Sequence, residues 1–304
     1  MFCKGTRGGW KKCELNPLLG GDLGTCFDIS MLEDDGKILM YFSWRDCHSI
    51  ARCVSDDGVH WSAPELCIVP RETPRQWENS LNRPSVVKVG SIYHMWYTGQ
   101  YHTGRRNEGT SDIFHAVSED GVHFVRTGDQ PVLRAELPWE ERNVMCPSVI
   151  WNEEQQKFCM WYSGGEQYEP NAIGYAESRD GLSWEKSPLN PVFCADPQNE
   201  WEQHKTTACH VFFHDDWYWM FYIGFENEDY AQIGIARSRD GVTGWQRSQH
   251  NPIIAPDGDA WDGDACYKPV VMRVKDKWML WYNGRREHKE QIGMAYHEGE
   301  LFDF

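Results

Sequence analysis

A short turn motif recurs at nearly constant intervals along the chain and limits the folds that the chain can adopt. The motif reads Ser-x-Asp-Gly, and an aromatic residue follows each copy. Its four serines are Ser55, Ser118, Ser178 and Ser238, at intervals of 63, 60 and 60 residues. Because Asp-Gly between alternating segments indicates a hairpin, the spacing predicts repeated β-units of about 60 residues.

Two further elements recur upstream of each hairpin and complete the unit. The first element begins at Asp28, Arg83, Cys146, Ala208 and Lys268 in the five units. The second reads Met-Trp-Tyr-x-Gly or a variant of it, as in residues 95–99, 160–164, 220–224 and 280–284. Each unit is therefore expected to contain four short strands, and five such units fill the 304 residues.

The two ends of the chain are expected to meet. The last hairpin, at His297-Glu-Gly299, has no fourth strand after it, whereas residues 10–19 resemble residues 184–193, the fourth strand of the third unit. The N-terminal segment would complete the last blade and leave no open sheet edge. We predict an all-β chain with a single five-bladed β-propeller catalytic domain over residues 1–304, because two β-sandwiches would not explain five equal units.

The charge and the cysteines narrow the partners and the compartment. With Lys+Arg 30 and Asp+Glu 46, the formal net charge is −16, which argues against nucleic acid and anionic membranes as partners. No apolar run approaches the ~18 residues of a membrane span, and the N-terminus lacks the apolar core of a secretory signal. The 11 cysteines lack Cys-x-x-Cys spacing, so we expect reduced thiols and a cytoplasmic location. No cofactor is expected, and the oligomeric state stays open.

Residues that recur in every unit are expected to serve the fold. Trp96, Trp161 and Trp281 on the second strands are predicted to be core residues. A structural role is also predicted for the repeated Trp-acid pairs, which are Trp77-Glu78, Trp139-Glu140, Trp201-Glu202 and Trp261-Asp262. His210 and His214 have the spacing of a zinc pair, but they should lie at different depths along a strand, so no metal site is predicted.

Residues that break the repeat are expected to carry function, and the acids among them gather at one mouth of the propeller. Asp28 is the only carboxylate at the head of an innermost strand. Glu166 lies in the loop between the second and third strands of the third blade, and Asp264 lies four residues before Lys268. We predict Asp28, Glu166 and Asp264 as the catalytic residues.

Cations map to the same mouth although the chain is acidic overall. The residues predicted to bind substrate are Trp44, Arg45, Arg83, His204, Lys205, Lys268 and Arg286, and Arg285 maps there as well. Several cations in one place indicate a ligand with negative charge, or one with many hydroxyl groups held by charge-assisted hydrogen bonds.

A mouth of this kind suits cleavage of a glycosidic bond. The reaction needs a carboxylic acid that protonates the leaving oxygen and a second carboxylate that acts as base or nucleophile. Asp28 would stay ionised beside Arg83 or Arg45, which suits the second role. Glu166 or Asp264 would then be the acid, which has to keep its proton near neutral pH.

These elements together resemble the five-bladed propeller glycosidases, which are glycoside hydrolase families 43, 32, 68, 117 and 130. Asp28-Ile-Ser30 is similar to the Asp-Pro-Ser-like motif that carries the base in family 43, with Ile in place of Pro. The other motifs of these families are replaced by Cys146-Pro147, Thr207-Ala-Cys209 and Asn82-Arg-Pro-Ser85. The resemblance therefore implies a divergent member in which the base carries over and the acid does not.

Three functions remain open from the sequence. The first is a glycoside hydrolase that acts on the ends of short oligosaccharides, with furanosides such as arabinosides or fructosides favoured. The second is a glycoside phosphorylase whose cationic mouth holds inorganic phosphate. The third is a non-catalytic propeller that binds sugar or protein. Phosphate dependence separates the first two, and affinity without turnover marks the third.

Overall fold

A computed structural model describes residues 5–71 and 78–304, which form the five antiparallel sheets of a β-propeller. Blade one contains β2 to β5, which are Cys26–Asp34, Lys37–Trp44, Ser49–Ser55 and Glu65–Ile68. Blade two contains β6 to β9, which are Ser80–Val89, Ile92–Tyr101, Thr110–Ser118 and Val125–Arg126. Blade three contains β10 to β13, which are Val144–Asn152, Lys157–Gly164, Ala172–Ser178 and Glu185–Lys186, and a short β14, Phe193–Cys194, also pairs with its third strand.

Blade four contains β15 to β18, which are Lys205–His214, Trp217–Phe225, Ala231–Ser238 and Gln246–Arg247. Blade five contains β19 to β21, which are Ala265–Val274, Lys277–Arg286 and Lys289–Glu298. Short 3-10 turns lie at Gly21–Leu23, Arg45–Cys47, Pro138–Glu140 and Glu200–Glu202. Within these described ranges, no helix has the length and apolar character needed to cross a membrane.

The N-terminal strand closes the ring as the sequence predicts. Strand β1, Lys11–Lys12, pairs antiparallel with β21, so that Lys11 lies opposite Tyr296 and Lys12 opposite Ala295. It supplies the fourth strand that blade five otherwise lacks. The prediction of an all-β propeller with five blades of four strands is therefore confirmed.

The Ser-x-Asp-Gly turns join neighbouring blades. Each serine hydroxyl accepts the glycine N–H within its own turn, as in Ser178 and Gly181 at 2.9 Å. The carbonyl of the same glycine then accepts a hydrogen bond from the second strand of the preceding blade, as in Trp96 Nε1 to Gly181 O at 2.9 Å. Trp161 and Trp281 make the equivalent bonds, so the predicted core role of these tryptophans is confirmed.

The acids of the repeated Trp-acid pairs are buried and bonded within their blades. Glu140 accepts hydrogen bonds from Tyr162 Oη at 2.6 Å and Lys186 Nζ at 2.7 Å. The other three members, Glu78, Glu202 and Asp262, also pair with a tyrosine of the second strand and with a cation. These pairs serve the fold, as predicted; Trp77 lies outside the described residues.

Around the axis, the innermost strands of blades one to four each bond to the next blade through one side chain. Ser30, Ser85 and Ser148 each accept a backbone N–H from the following innermost strand, at 3.0–3.1 Å. In blade four the corresponding acceptor is His210 Nδ1, which receives the N–H of Val271 at 3.2 Å. His210 therefore takes a structural place in this belt, and burial lowers its pKa to about 4.

Candidate active site

The heads of the innermost strands share an unusual backbone conformation that turns their side chains into one mouth. The head residues are Asp28, Arg83, Cys146, Ala208 and Lys268, and all have positive φ between 37° and 58°. Each lies at an irregularity in the pairing of the first and second strands. Non-glycine residues rarely adopt this left-handed region, so the surrounding fold must hold the strain.

Hydroxyl groups of the preceding blade hold three of these heads in place. The N–H of Arg83 donates to Ser43 Oγ at 2.9 Å, and the N–H of Ala208 donates to Ser163 Oγ at 2.8 Å. The N–H of Cys146 donates to Thr98 Oγ1 at 3.1 Å. The five-fold frame thus presents five chemically different side chains around one axis.

A cavity of about 580 Å³ opens at this mouth and receives residues from all five blades. Its floor contains Asp28, Arg83 and Lys268 from the strand heads. The loops between second and third strands form its wall, as expected from the strand order. Four sequence-predicted site residues meet here, namely Asp28, Arg45, Arg83 and Lys268.

Asp28 lies between two cations at the floor of the cavity. It is 3% exposed, and its Oδ2 lies 3.4 Å from Arg83 Nε while its Oδ1 lies 3.9 Å from Lys268 Nζ. Its Oδ2 is buried and has no hydrogen-bond donor among the described residues. The carboxylate is therefore held by charge but keeps an oxygen available for another partner.

Glu169 is a second carboxyl group of the cavity and differs from Asp28 in its surroundings. No described arginine or lysine comes within ion-pair distance of its carboxyl group. Burial raises the pKa of Glu169, against the opposing charges of Arg83 and Lys268, and the carboxylates of Asp28 and Glu290 add to the increase. A carboxyl group that keeps its proton to higher pH suits proton donation.

Glu290 is the third carboxylate, and it is bound to other cavity residues. It accepts a short hydrogen bond from Tyr267 Oη and forms an ion pair with Arg45 Nη2 at 2.8 Å. The guanidinium of Arg45 also stacks over the ring of Phe27, 4.4 Å from its centroid. Glu290 therefore fixes one arginine and one tyrosine of the wall.

The two acids predicted to donate the proton do not line the cavity. Glu166 lies nearby, but it pairs with Lys205 Nζ at 3.0 Å, and this hydrogen bond lowers the pKa of Glu166. Asp264 is exposed, and its Oδ2 accepts the N–H of Glu287 at 2.7 Å. Among Glu166, Asp264 and Glu169, Glu169 is the one that both lines the cavity and has a raised pKa.

The other residues predicted to bind substrate lie outside the cavity lining. Trp44 donates from Nε1 to Leu23 O at 2.7 Å, and His204 is exposed near the mouth. Arg286 donates to Gly258 O at 2.7 Å, away from the cavity. Lys205 is buried and donates to Glu169 O at 3.0 Å, so it positions the loop that carries Glu169.

Sequence reasoning missed Glu169, Glu290, Tyr267 and His102. Glu169 belongs to the same short loop as Glu166. The sequence places both glutamates near the mouth but does not tell which of them faces the cavity. His102 lines the cavity, and partial desolvation together with the charges of Arg83 and Arg45 lowers its pKa. A neutral imidazole at neutral pH can both donate a hydrogen bond to a sugar hydroxyl and accept one.

Comparison with known proteins places this architecture in a family. The model of the family described as glycosyl hydrolases family 43 matches residues 15–298. The chain belongs to this family. In this family 43 member the match spans every blade, so the cavity at the propeller mouth is the place where glycosidic chemistry is expected.

Solved structures and curated proteins similar to this family 43 chain include both hydrolases and phosphorylases. A structure titled glycoside hydrolase superposes with a TM-score of 0.76 at 18% identity, covering 98% of this chain and 93% of the other. The β-1,2-mannobiose phosphorylase of Listeria innocua superposes with a TM-score of 0.71 at 13% identity, covering 95% and 96%. A 1,2-β-oligomannan phosphorylase of a Thermoanaerobacter strain is 25% identical over 218 residues, covering 68% of this chain and 66% of its own.

Proposed function

We propose that this chain is a glycoside hydrolase in which Asp28 acts as base or nucleophile and Glu169 as general acid. The observation that carries the proposal is the pairing of two unlike carboxyl groups in one cavity. Asp28 lies within 4 Å of two cations, whereas burial raises the pKa of Glu169. Two carboxyl groups with opposite environments are what glycosidic cleavage requires.

The reaction follows from these positions. Glu169 would donate its proton to the leaving glycosidic oxygen as the bond to the anomeric carbon breaks. Asp28 would either take a proton from the attacking water or attack the anomeric carbon itself. Glu169 would then regain its proton from solvent, or from the water that hydrolyses the glycosyl-enzyme intermediate. Exo action on short oligosaccharides and the preference for furanosides stay predictions.

The role of Glu169 is tested by comparing Glu169→Gln with Glu166→Gln. The two changes are isosteric and lie three residues apart, and only Glu169 lines the cavity. We expect Glu169→Gln to lower kcat/KM by about 10²–10⁴-fold on glycosides with poor leaving groups, and much less on dinitrophenyl glycosides, which need little protonation. Equal losses for both variants, or a loss independent of the leaving group, would contradict the role.

The pH profile gives a second readout of the same group. Because the general acid must be protonated, kcat/KM should fall as pH rises through the pKa of Glu169, which lies above its ordinary value. Glu169→Gln should remove this alkaline decline. A decline that persists unchanged in Glu169→Gln would assign it to another group.

A second candidate, phosphorolysis, is favoured by the charge of the cavity. Six of its lining residues are Arg or Lys and three are Asp or Glu, although the whole chain has 30 and 46. Inorganic phosphate would then replace water as the nucleophile, and one acid would suffice. Two similar proteins named as phosphorylases support this alternative. Formation of sugar phosphate only in phosphate buffer would favour phosphorolysis over hydrolysis.

A further inference from the structure

Two half-buried cations of the cavity, Arg83 and Lys268, keep hydrogen-bonding capacity that no described residue uses. Arg83 Nε and Nη1 are buried and have no acceptor among residues 5–71 and 78–304. Lys268 Nζ lies 3.9 Å from Asp28 Oδ1, which is beyond hydrogen-bond distance. Buried polar groups in native proteins are nearly always paired, so free donors of this kind point to a ligand.

Buried cations elsewhere in the same chain are bonded closely. Lys12 Nζ lies 2.7 Å from Asp262 Oδ2 and 2.8 Å from Ala255 O. Lys186 Nζ lies 2.7 Å from Glu140 Oε2 and 2.6 Å from Arg134 O. Lys12 and Lys186 are thus satisfied within their blades, whereas Arg83 Nε and Nη1 at the floor of the cavity have no acceptor in the described part of the chain.

The excess of cations is distributed around the cavity. Arg45 comes from blade one, Arg83 and the loop residues Arg105 and Arg106 come from blade two, and Lys268 comes from blade five. Most of the loop arginines already contact protein groups, as Arg106 does with Glu228 at 3.3 Å and with the Tyr168 ring. Arg83 and Lys268 are therefore the cations that remain open to a ligand.

We propose that the substrate is an acidic glycoside, and that Arg83 and Lys268 bind the carboxylate of a uronic acid unit. The inference rests on the proposed function, because it names the substrate class of the same cavity. A planar guanidinium matches the two oxygens of a carboxylate, and the lysine ammonium adds a compact positive charge beside it. Neutral glycosides would leave these desolvated donors without a partner, which is costly.

The carboxylates of the cavity favour an anion attached to the sugar over free phosphate. Asp28 and Glu290 both lie in the cavity, and a phosphate dianion beside them would meet stronger repulsion than a single carboxylate. A carboxylate on the sugar is also brought in by the contacts of the whole saccharide. Because Asp28 and Glu169 already supply base and acid, water is a sufficient nucleophile.

The test compares acidic oligosaccharides with their own carboxyl-reduced forms. Reduction converts each uronate carboxylate into a primary alcohol and leaves the linkages unchanged. We would measure kcat/KM of the full chain on both forms of glucuronate- and galacturonate-containing oligosaccharides, with and without inorganic phosphate. We expect the acidic form to be preferred by about ten- to a hundredfold, the usual range for losing a charge-assisted hydrogen bond.

A pair of charge-removing variants connects the preference to the site. Lys268→Met should reduce the ratio of kcat/KM between acidic and reduced forms by about tenfold. Lys37→Met removes the same charge from a surface pair with Asp56, at the far end of blade one, and should leave the ratio unchanged. Because the readout is a ratio, a general loss of catalysis in Lys268→Met does not imitate the effect.

The outcomes separate this inference from the proposed function. Equal cleavage of acidic and reduced forms, or cleavage of neutral sugars only with phosphate, would overturn the acidic substrate while Asp28→Asn could still abolish turnover. Acidic cleavage that survives in Asp28→Asn would overturn the proposed catalyst instead. If no saccharide is cleaved, a melting-temperature increase with uronate oligosaccharides that is lost in Lys268→Met supports the inference, and no increase overturns it.

Discussion

The chain buries carboxylates in two regions, and the two differ in how completely they are paired. Within the blades, Glu140 receives a tyrosine hydroxyl at 2.6 Å and a lysine at 2.7 Å. At the mouth, the cations beside Asp28 stand at 3.4 and 3.9 Å, and one of its oxygens has no donor among the described residues. Glu140 and Glu78 use both carboxylate oxygens within their blades, whereas Asp28 keeps one oxygen open to a ligand.

The difference has a physical cause in the repeat itself. An interaction that recurs in four blades can be optimised for packing, because each copy meets the same neighbours. The mouth brings five unlike residues to one axis. The charged ones among them, Asp28, Arg83 and Lys268, act on each other across a cavity. Incomplete pairing of buried groups costs stability, and proteins accept this cost mainly at functional sites.

The largest expected effect comes from Asp28→Asn. We expect kcat/KM to fall by about 10³-fold or more, since the amide can act neither as base nor as nucleophile. The free energy of unfolding should change by only about 1 kcal/mol, because neither cation is hydrogen-bonded to Asp28. Urea unfolding and steady-state kinetics on the same preparation check both parts. Near-normal turnover would exclude Asp28 as a catalytic residue.

Glu140→Gln is the opposite case and should lower stability without removing activity. The amide would face Lys186 without a negative charge, and breaking a buried ion pair on one side typically costs about 3–5 kcal/mol. The urea midpoint should decrease accordingly, while kcat per folded molecule stays close to that of the wild type. A normal midpoint would show that the repeated acids contribute less to the fold than their contacts indicate.

Where blade two faces blade three, polar groups are packed as the imidazoles of two histidines, not as ion-paired carboxylates. His115 Nε2 lies 3.1 Å from His94 Nδ1, and its Nδ1 lies 3.1 Å from Thr127 Oγ1. Burial lowers the pKa of His115 to about 3, with the charge of His94 adding to the decrease and Asp180 opposing it. Neither imidazole is therefore expected to be charged at neutral pH.

Acid should destabilise this interface. Because the pKa of His115 is lower in the folded chain than in the unfolded chain, the unfolded chain binds more protons below about pH 6.5, and stability falls with falling pH. The contribution of His115 should reach about 2–3 kcal/mol by pH 4.5. His115→Gln should flatten the dependence of unfolding free energy on pH, and His204→Gln, at an exposed site, should not. Parallel curves for all three proteins would contradict the assignment.

Much of the fold could be predicted because its signals are local and repeated. The Asp-Gly turns, the Met-Trp-Tyr-x-Gly strands and the match of residues 10–19 to a fourth strand led to five blades and to the closing strand β1. The same repetition identified Glu78, Glu140, Glu202 and Asp262 as structural, in agreement with their buried contacts.

The site could be predicted only in part, because loop conformation is not periodic. Asp28, Arg83 and Lys268 were identified from their places at the strand heads, which the repeat determines. Glu166 and Glu169 lie in one loop, and their roles depend on a contact of Glu166 with Lys205, which belongs to the next blade. No pattern in the sequence reports that contact, so the proposal of Glu169 in place of Glu166 had to draw on the structure.

The smallest effect is expected at the belt around the axis, where a neutral hydrogen bond joins two blades. Ser148 Oγ accepts the N–H of Val211 at 3.1 Å, and Ser148 is buried. Ser148→Ala would leave that N–H without its acceptor, at a cost of about 1–2 kcal/mol. Ser91→Ala, in an exposed turn, is the matched control and should cost nothing measurable.

The belt also lies next to the mouth. Ser148 lies two residues after Cys146, one of the strand heads, so its hydrogen bond supports the strained turn that aims the heads into the cavity. If the belt serves only the packing of blades, Ser148→Ala should lower the urea midpoint and leave kcat/KM within about twofold of the wild type. A larger decrease in kcat/KM at temperatures where the variant is fully folded would mean that the belt also positions the mouth, and that the two regions are coupled.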